Sequence, residues 1–291
     1  MNCPYNKSHT GSHVIQEWMD KYFGTDPNDC EEECSTDFLT ESTQTLPQII
    51  DVYITSFGNN FFIEYQIKTL RKFLATPFNI VVIDNNIDES ISIDLQELCE
   101  DDGVNYIKAP YNIYQEKEHF DPSLKLGCTL NWIFYNIIKK RKPEYFMFLD
   151  HDCMLFRDFD PREWLDAKGL YGTVCRNLPY WNIHVTQFGA KYDYLKDLPV
   201  DFRPSYKYSL DTAGAMYGVL YSQLRMEDFM LSHTGHRFFK EDTVSGIKPQ
   251  HYEIIDNCWV HLCSSTHDKL AGEGQRKLDY FKGFLDRCLL I

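Results

Sequence analysis

The sequence contains no apolar run of about 18 residues, the length a membrane-spanning helix needs. Its first residues hold no apolar segment of the secretory kind. From these two absences a cytoplasmic protein with no membrane span is expected. The ten cysteines then read as reduced thiols serving as small core hydrophobes. Basic residues are scarce too: 29 Lys and Arg stand against 43 Asp and Glu, a net charge of −14 at pH 7. A chain so acidic excludes a nucleic-acid backbone as partner. It still admits a nucleotide whose phosphates are bridged by a metal ion. Internal repeats and low-complexity tracts are also missing.

What is present is enough apolar material for a core. With 291 residues, 43% hydrophobic and 25% charged, the chain suffices for one large α/β domain or two smaller ones. Residues 1–47 stand apart, holding nine acidic and two basic side chains, half of the total net charge. They read as an acidic N-terminal extension, with a turn at Asp26-Pro27-Asn28-Asp29 and a solvated patch at Glu31-Glu32-Glu33. Cys3, His9, His13, Cys30 and Cys34 have zinc-ligand chemistry. The stretch from Cys3 to His9 resembles the first half of a CHHC zinc finger, but that pattern's next ligands would fall near Met19 and Phe23, which cannot bind zinc.

From Ile49 the pattern alternates. A strand over 51–57 ends at Gly58-Asn59-Asn60, and Ile63, Ile67, Leu70 and Leu74 then recur at helical spacing. A strand over 79–84, a helix over 92–101 and a strand over 104–108 follow. This order predicts a doubly wound, mostly parallel sheet flanked by helices. After a polar, aromatic connection, a helix over 123–140 places Leu126, Leu130, Ile133 and Ile137 on one face. Its basic end, Lys139-Lys140-Arg141-Lys142, suits the helix dipole. Further on, strands are expected at 169–175 and 214–221, an aromatic-rich connection at 178–208 and a helix at 222–232. The apolar run Trp259–Leu262 precedes a closing helix with Leu278, Phe281, Leu285 and Cys288 inward.

The run Tyr145–Leu149 enters Asp150-His151-Asp152. Five apolar residues in succession read as a strand buried on both faces, and its C-terminal end is where an open α/β sheet places its ligand crevice. If the extended geometry persists, Asp150 and Asp152 face one way and His151 the other. Two carboxylates there suit a hard divalent cation that also holds phosphate oxygens. A lone pair of this kind more often marks a solvated turn after a strand.

The order of these parts resembles the A-type (GT-A) glycosyltransferase fold, in its branch of small soluble family-2-like sugar transferases, over about residues 48–270. The carriers are Val52–Ser56, Val81–Asn85, Gly127 with Asn131, Asp150-His151-Asp152 as the family's D-x-D, and Ser209–Gly214. The resemblance implies a nucleotide-binding half at about 48–152 and an acceptor half at about 153–291. It implies a UDP- or GDP-sugar donor met by Thr55, Ser56, Asp84, Asn85 and Asp150. It implies Mn2+ or Mg2+ on Asp150 and Asp152, with His261 completing the set and His267 as the rival. Asp211 would be the general base that deprotonates an acceptor hydroxyl; a turn cap made with Thr212 accounts for it equally well. The N-A-G and H-x-x-G-x-x-K segments of retaining transferases have no full counterpart: Ala213-Gly214-Ala215-Met216 lacks the Asn of one, and for the other the spacing of His261 and Lys269 is wrong and Ser264 stands where the glycine would be. That favours inversion.

Tyr180, Trp181 and Tyr192 could stack on a saccharide acceptor, and Arg176 and Lys269 could touch phosphate. Protein and lipid-linked acceptors stay open. Two other functions compete with a metal-dependent glycosyltransferase. One is a sugar-phosphate nucleotidyltransferase, whose G-x-G-T-R segment Ser56–Asn60 does not match. The other is a non-catalytic interaction protein with a zinc-binding N-terminal region.

Overall fold

The computed structural model describes residues 49–58, 60–110, 121–238, 251–262 and 274–290. The acidic extension with its Cys/His cluster, His267 and Lys269 lie outside them. Strand β1 (Ile50–Ser56) is buried at every position. Helix α1 (Asn60–Phe73) returns along it with Ile63, Ile67 and Leu70 inward. Strand β2 (Phe78–Asp84), helix α2 (Glu89–Asp101) and strand β3 (Asn105–Lys108) repeat the unit. Asp121 caps helix α3 (Pro122–Ile133) by accepting from the Ser123 and Leu124 amides, and Pro122 sits where a missing N–H is harmless. The helix then relaxes into a π-helical turn at Phe134–Ile138. Strand β4 (Tyr145–Asp150) follows, buried up to its terminal aspartate.

These four strands pair in parallel in the order β3-β2-β1-β4. Chain order therefore reverses between β1 and β4, and the crevice beyond the carboxyl ends at such a reversal is where open α/β sheets take ligands. Register sets what stands there: Ser56 lies opposite Asp84, and Thr55 opposite Asp150.

Beyond β4 the chain forms strand β5 (Cys153–Leu155), helix α4 (Pro161–Lys168), strand β6 (Leu170–Asn177), strand β7 (Tyr180–Lys191) and the short helix α5 (Tyr192–Leu195). Strands β8 (Met230–Leu231), β9 (Thr234–Phe238), β10 (His251–Ile255) and β11 (Trp259–His261) precede helix α6 (Gly274–Leu290). The large sheet has seven strands in the order β3-β2-β1-β4-β7-β6-β8, with β7 antiparallel to both neighbours. A second, antiparallel sheet runs β5-β11-β10-β9.

Both faces of the large sheet are covered, as the alternation predicts. Phe146 and Phe148 of β4 join Leu130 and Ile133 from α3 and Phe134 from the turn after it, while Tyr145, Met147 and Leu149 join Ile63, Ile67 and Leu95 from α1 and α2. Burying each of these large side chains contributes roughly 1.5–3 kcal/mol. The fold is thus a doubly wound, mostly parallel mixed sheet flanked by helices.

Three sequence expectations fail in the second half. The connection over 178–208 contains β7, a twelve-residue strand. Its polar Asn182, Thr186 and Gln187 are buried, so hydropathy does not mark it. The strand expected at 214–221 is a 3-10 turn, Gly214–Tyr217, entered through Ala213 at φ 71°; a Cβ on Gly214 would stand 2.5 Å from Leu210 Cβ. No helix fills 222–232 beyond the short turn Tyr221–Gln223. The Asp228 carboxylate accepts from the Arg225 amide at 2.6 Å, a local bond that competes with helix, and β8 takes the sheet edge.

Candidate active site

The extended geometry of β4 stops at Asp150, and His151-Asp152 turns the chain into β5. The turn still brings the carboxylates together. Strand β5 pairs with β11 so that Cys153 faces His261, and the Leu262 amide donates to the Asp152 carbonyl at 3.0 Å. His261 Nε2 therefore sits 3.3 Å from Asp152 Oδ1. One ligand atom from each of Asp150, Asp152 and His261 lies within 4.8 Å of the others. On β10, Glu253 is the cross-strand neighbour of His261 and meets its Nδ1 at 3.0 Å. A carboxylate on the far nitrogen fixes the tautomer and orientation of a metal-ligating imidazole.

The donor set suits Mn2+ or Mg2+, with two hard oxygen ligands and one imidazole. The side chain of Asp150 is only 20% exposed and that of Asp152 only 4%, so their mutual repulsion asks for a cation. Gln66, buried on α1, donates from Nε2 to the carbonyls of Asp150 at 2.7 Å and Cys153 at 2.9 Å, pinning both ends of the turn. His151 does not point clear of the pair, as the extended reading expected. Its Nδ1 lies 3.2 Å from Asp150 Oδ1, and its ring meets Phe62.

The adjacent wall is made by the ends of β1 and β2. Thr55 and Ser56 are buried there. Asp84 is fully buried, with Tyr106 donating to Oδ2 at 2.7 Å, Lys108 at 2.8 Å, and the Asn86 amide to Oδ1 at 2.9 Å. Burial raises its pKa, but these bonds outweigh it and hold the carboxyl below its usual range. Asp84 is therefore engaged within the chain and braces the wall. Asn85 donates its amide to the Ser56 carbonyl at 3.1 Å. Asn86 ties the two strand ends, accepting from the Gly58 amide. Lys125, which the sequence reading passed over, is buried on α3 with its ammonium 4.6 Å from the centre of the Phe57 ring. Burial pushes its pKa down to about 8, opposed by Asp84 and assisted by Lys108.

A second pair joins β7 to the segment that follows α5. His184 Nε2 lies 3.7 Å from Asp211 Oδ2, and Asp211 Oδ1 accepts the Thr212 amide at 2.7 Å. Burial raises the Asp211 pKa, but the His184 bond and charge prevail and hold it well below the carboxylate range. Burial lowers His184, yet Asp211 raises it above its ordinary value, with the charge of Asp150 adding and that of His261 opposing. The pair thus shares an electrostatic environment with the Asp150–His261 cluster. Asn182 Nδ2 holds the Thr212 carbonyl at 2.8 Å.

Gly127 and Asn131 position the same segment from α3. Asn131 Nδ2 donates to Asp201 at 2.9 Å, and its Oδ1 accepts the Phe202 amide at 2.7 Å. A Cβ on Gly127 would lie 2.6 Å from Arg203 Cα.

The three aromatics named from sequence separate. Tyr180 stands at the β6–β7 tip. Trp181 is committed to packing, stacked on Phe229 at 5.4 Å and 16°. Tyr192 lies at the wrong end of the sheet: its neighbour Lys191 pairs with Tyr145, the first residue of β4, so an acceptor beside Asp150 does not meet it. Arg176 is exposed on the hairpin, near the Met226 sulfur.

No protein-family model and no curated protein matches the chain. Among solved structures it is similar to TarS of S. aureus at 14% identity and TM-score 0.34, covering 53% of this chain and 30% of that one. Glucosyl-3-phosphoglycerate synthase from Mycobacterium tuberculosis, in complex with UDP, gives 13% and 0.39 over 63% and 69%. The mannosyltransferase PcManGT from Pyrobaculum calidifontis, in complex with GDP-Man and Mn2+, gives 14% and 0.37 over 64% and 54%. The match to TarS spans under a third of that protein's length, and the match to PcManGT about half.

Proposed function

We propose that the chain is a metal-dependent glycosyltransferase that moves a sugar from a UDP- or GDP-sugar to an acceptor hydroxyl with inversion. The observation that carries this reading is the Asp150–Asp152–His261 cluster at the chain-order reversal, accompanied by the Asp211–His184 pair. Asp150, Asp152 and His261 would hold Mn2+ or Mg2+, which when bound supplies the positive charge a diphosphate leaving group needs. Thr55, Ser56 and Asn85 line the nucleotide wall, and Asp84 braces it from within. Asp211 takes the acceptor proton. His184 orients the Asp211 carboxylate.

On this reading the donor half spans about 48–152 and the acceptor half about 153–291. The acceptor is a saccharide, protein or lipid-linked glycan, and the site of action is cytoplasmic. Calorimetry with UDP and GDP, with and without Mn2+, tests the reading. Binding strengthened by the metal, and a loss of that effect in Asp152→Ala at unchanged melting temperature, are expected. Nucleotide binding indifferent to the metal would remove the claim.

A further inference from the structure

We infer that the cluster of Tyr180, Tyr208 and Tyr217 beside the tip of the β6–β7 hairpin (the tyrosine cup) is a subsite for a distal sugar unit of a chain-like saccharide acceptor; this rests on the transferase reading above. Tyr180, Asn182 and His184 project from one face of β7, while Trp181 and Ile183 pack into the core. Each of the three meets the segment that carries the proposed base. The Tyr180 ring lies 4.7 Å from Tyr208, Asn182 holds the Thr212 carbonyl at 2.8 Å, and His184 meets Asp211 at 3.7 Å. One strand face therefore runs unbroken from the base to the cup.

Register says where that face stands. Pairing of β7 with β4 ends at Leu149 opposite Gln187. The residues from His184 back to Tyr180 pair only with β6, from Thr173 to Asn177. This part of the hairpin rises beyond the carboxyl end of β4, on the side of the crevice. Four residues of strand separate His184 from Tyr180, about 13 Å at the usual rise. A sugar whose hydroxyl reaches Asp211 leaves the cup to a later unit of the same chain.

The cup has the chemistry for that unit. Tyr180, Tyr208 and Tyr217 surround one another at 4.7, 5.2 and 5.0 Å between ring centres, with Tyr217 edge-on to Tyr180 at 87°. All three are half-buried, and Lys207 lies over Tyr208 at 5.1 Å. Beside them, among the described residues, nothing lies within 4 Å of a Cβ on Gly218, and Leu178 is 84% exposed. Tyrosine offers a rigid apolar face and a hydroxyl at little entropy loss. That combination matches a pyranose, which presents C–H on one face and hydroxyls at its edge.

The test titrates mono- to hexasaccharides of the cello-, chito- and manno- series onto the full chain loaded with nucleotide and Mn2+. Affinity in one series is expected to climb roughly tenfold once the chain is long enough to reach the cup. Tyr208→Ala and Tyr180→Leu should abolish that gain and leave Mn2+-nucleotide affinity unchanged. Tyr180→Leu keeps apolar packing, so it separates a lost ring from a lost fold. Affinity independent of chain length, a gain that survives both variants, or no binding by any member overturns the inference. If the wild-type chain fails to bind nucleotide with Mn2+, the transferase reading falls first.

Discussion

His184 Nε2 stands 3.7 Å from Asp211 Oδ2, and each side chain moves the other's ionisation. His184 is raised and Asp211 lowered against the burial that opposes both shifts. The raised imidazole contributes stability that is complete below the ordinary histidine range and is lost as pH rises through its folded-state value. The lowered carboxyl contributes stability that is complete above the ordinary carboxylate range and is lost as pH falls through its folded-state value. The pair therefore stabilises most between about pH 4 and 6.5. NMR titration should find His184 above its ordinary value and, in Asp211→Asn, shifted down. Melting temperatures should fall less steeply in that variant below about pH 4 and above about pH 6.5, where the pair's contribution is lost in the wild type. An imidazole that titrates identically in both proteins would show that the contact carries no charge coupling.

Gln66 is the residue on which the shape of the metal turn depends. Its Nε2 bridges the Asp150 and Cys153 carbonyls, so Gln66→Leu leaves two acceptors without their donor. Stability is expected to fall by roughly 1–3 kcal/mol. Mn2+ affinity is expected to fall roughly 10–100-fold, as when outer partners of metal ligands are removed. Urea melts and metal titration read the two separately. Full metal affinity in a destabilised variant would assign Gln66 to packing alone.

Lys125 carries a charge that folding disfavours. Burial brings its pKa down to about 8 from 10.5, a differential on the order of 3 kcal/mol. The unfolded chain binds the proton more tightly, so stability from this group rises as pH climbs from about 8 towards 10.4. Lys125→Met keeps the apolar stem and removes the charge. At pH 7 it should weaken UDP or GDP binding, and the rise in stability between about pH 8 and 10.4 should be lost. A variant that binds nucleotide as well as wild type would take Lys125 out of the donor wall.

The strands legible in the sequence are those buried on both faces. β1, β2 and β4 read as continuous apolar runs because helices cover each side. β7 escaped because Asn182, Thr186 and Gln187 are buried with polar partners, and a bonded amide in a core looks like a loop residue in a hydropathy pattern. The aspartate motif was legible as spacing. Gln66 was not, since it meets Asp150 across 84 residues of chain, and Glu253 reaches His261 only through the register of β10 on β11. A polar residue inside the apolar stripe of a helix was the available signal for Gln66, flanked by Ile63, Ile67 and Leu70. Lys125 gave the same signal between Leu124 and Leu126.

Gly127 tests whether α3 and the acceptor segment act as one unit. An added methyl would stand 2.6 Å from Arg203 Cα and 2.6 Å from the Phe202 carbonyl oxygen. Both neighbours are backbone, so helix or segment has to shift. Overpacking of this kind costs roughly 1–3 kcal/mol, against about 1 kcal/mol of helix propensity gained by alanine. Gly127→Ala is expected to melt lower by up to roughly 6 °C. The displaced segment passes the movement on, because the Ala213 amide donates to the Phe202 carbonyl at 2.6 Å and the Ala215 amide to the Arg203 carbonyl at 2.9 Å, on either side of the turn that follows Asp211. Thr55 and Asp150 belong to β1 and β4 and stay in register. Transfer to acceptor should therefore fall more than Mn2+-nucleotide binding, and equal losses in both would show that the methyl disturbs the sheet rather than the acceptor segment.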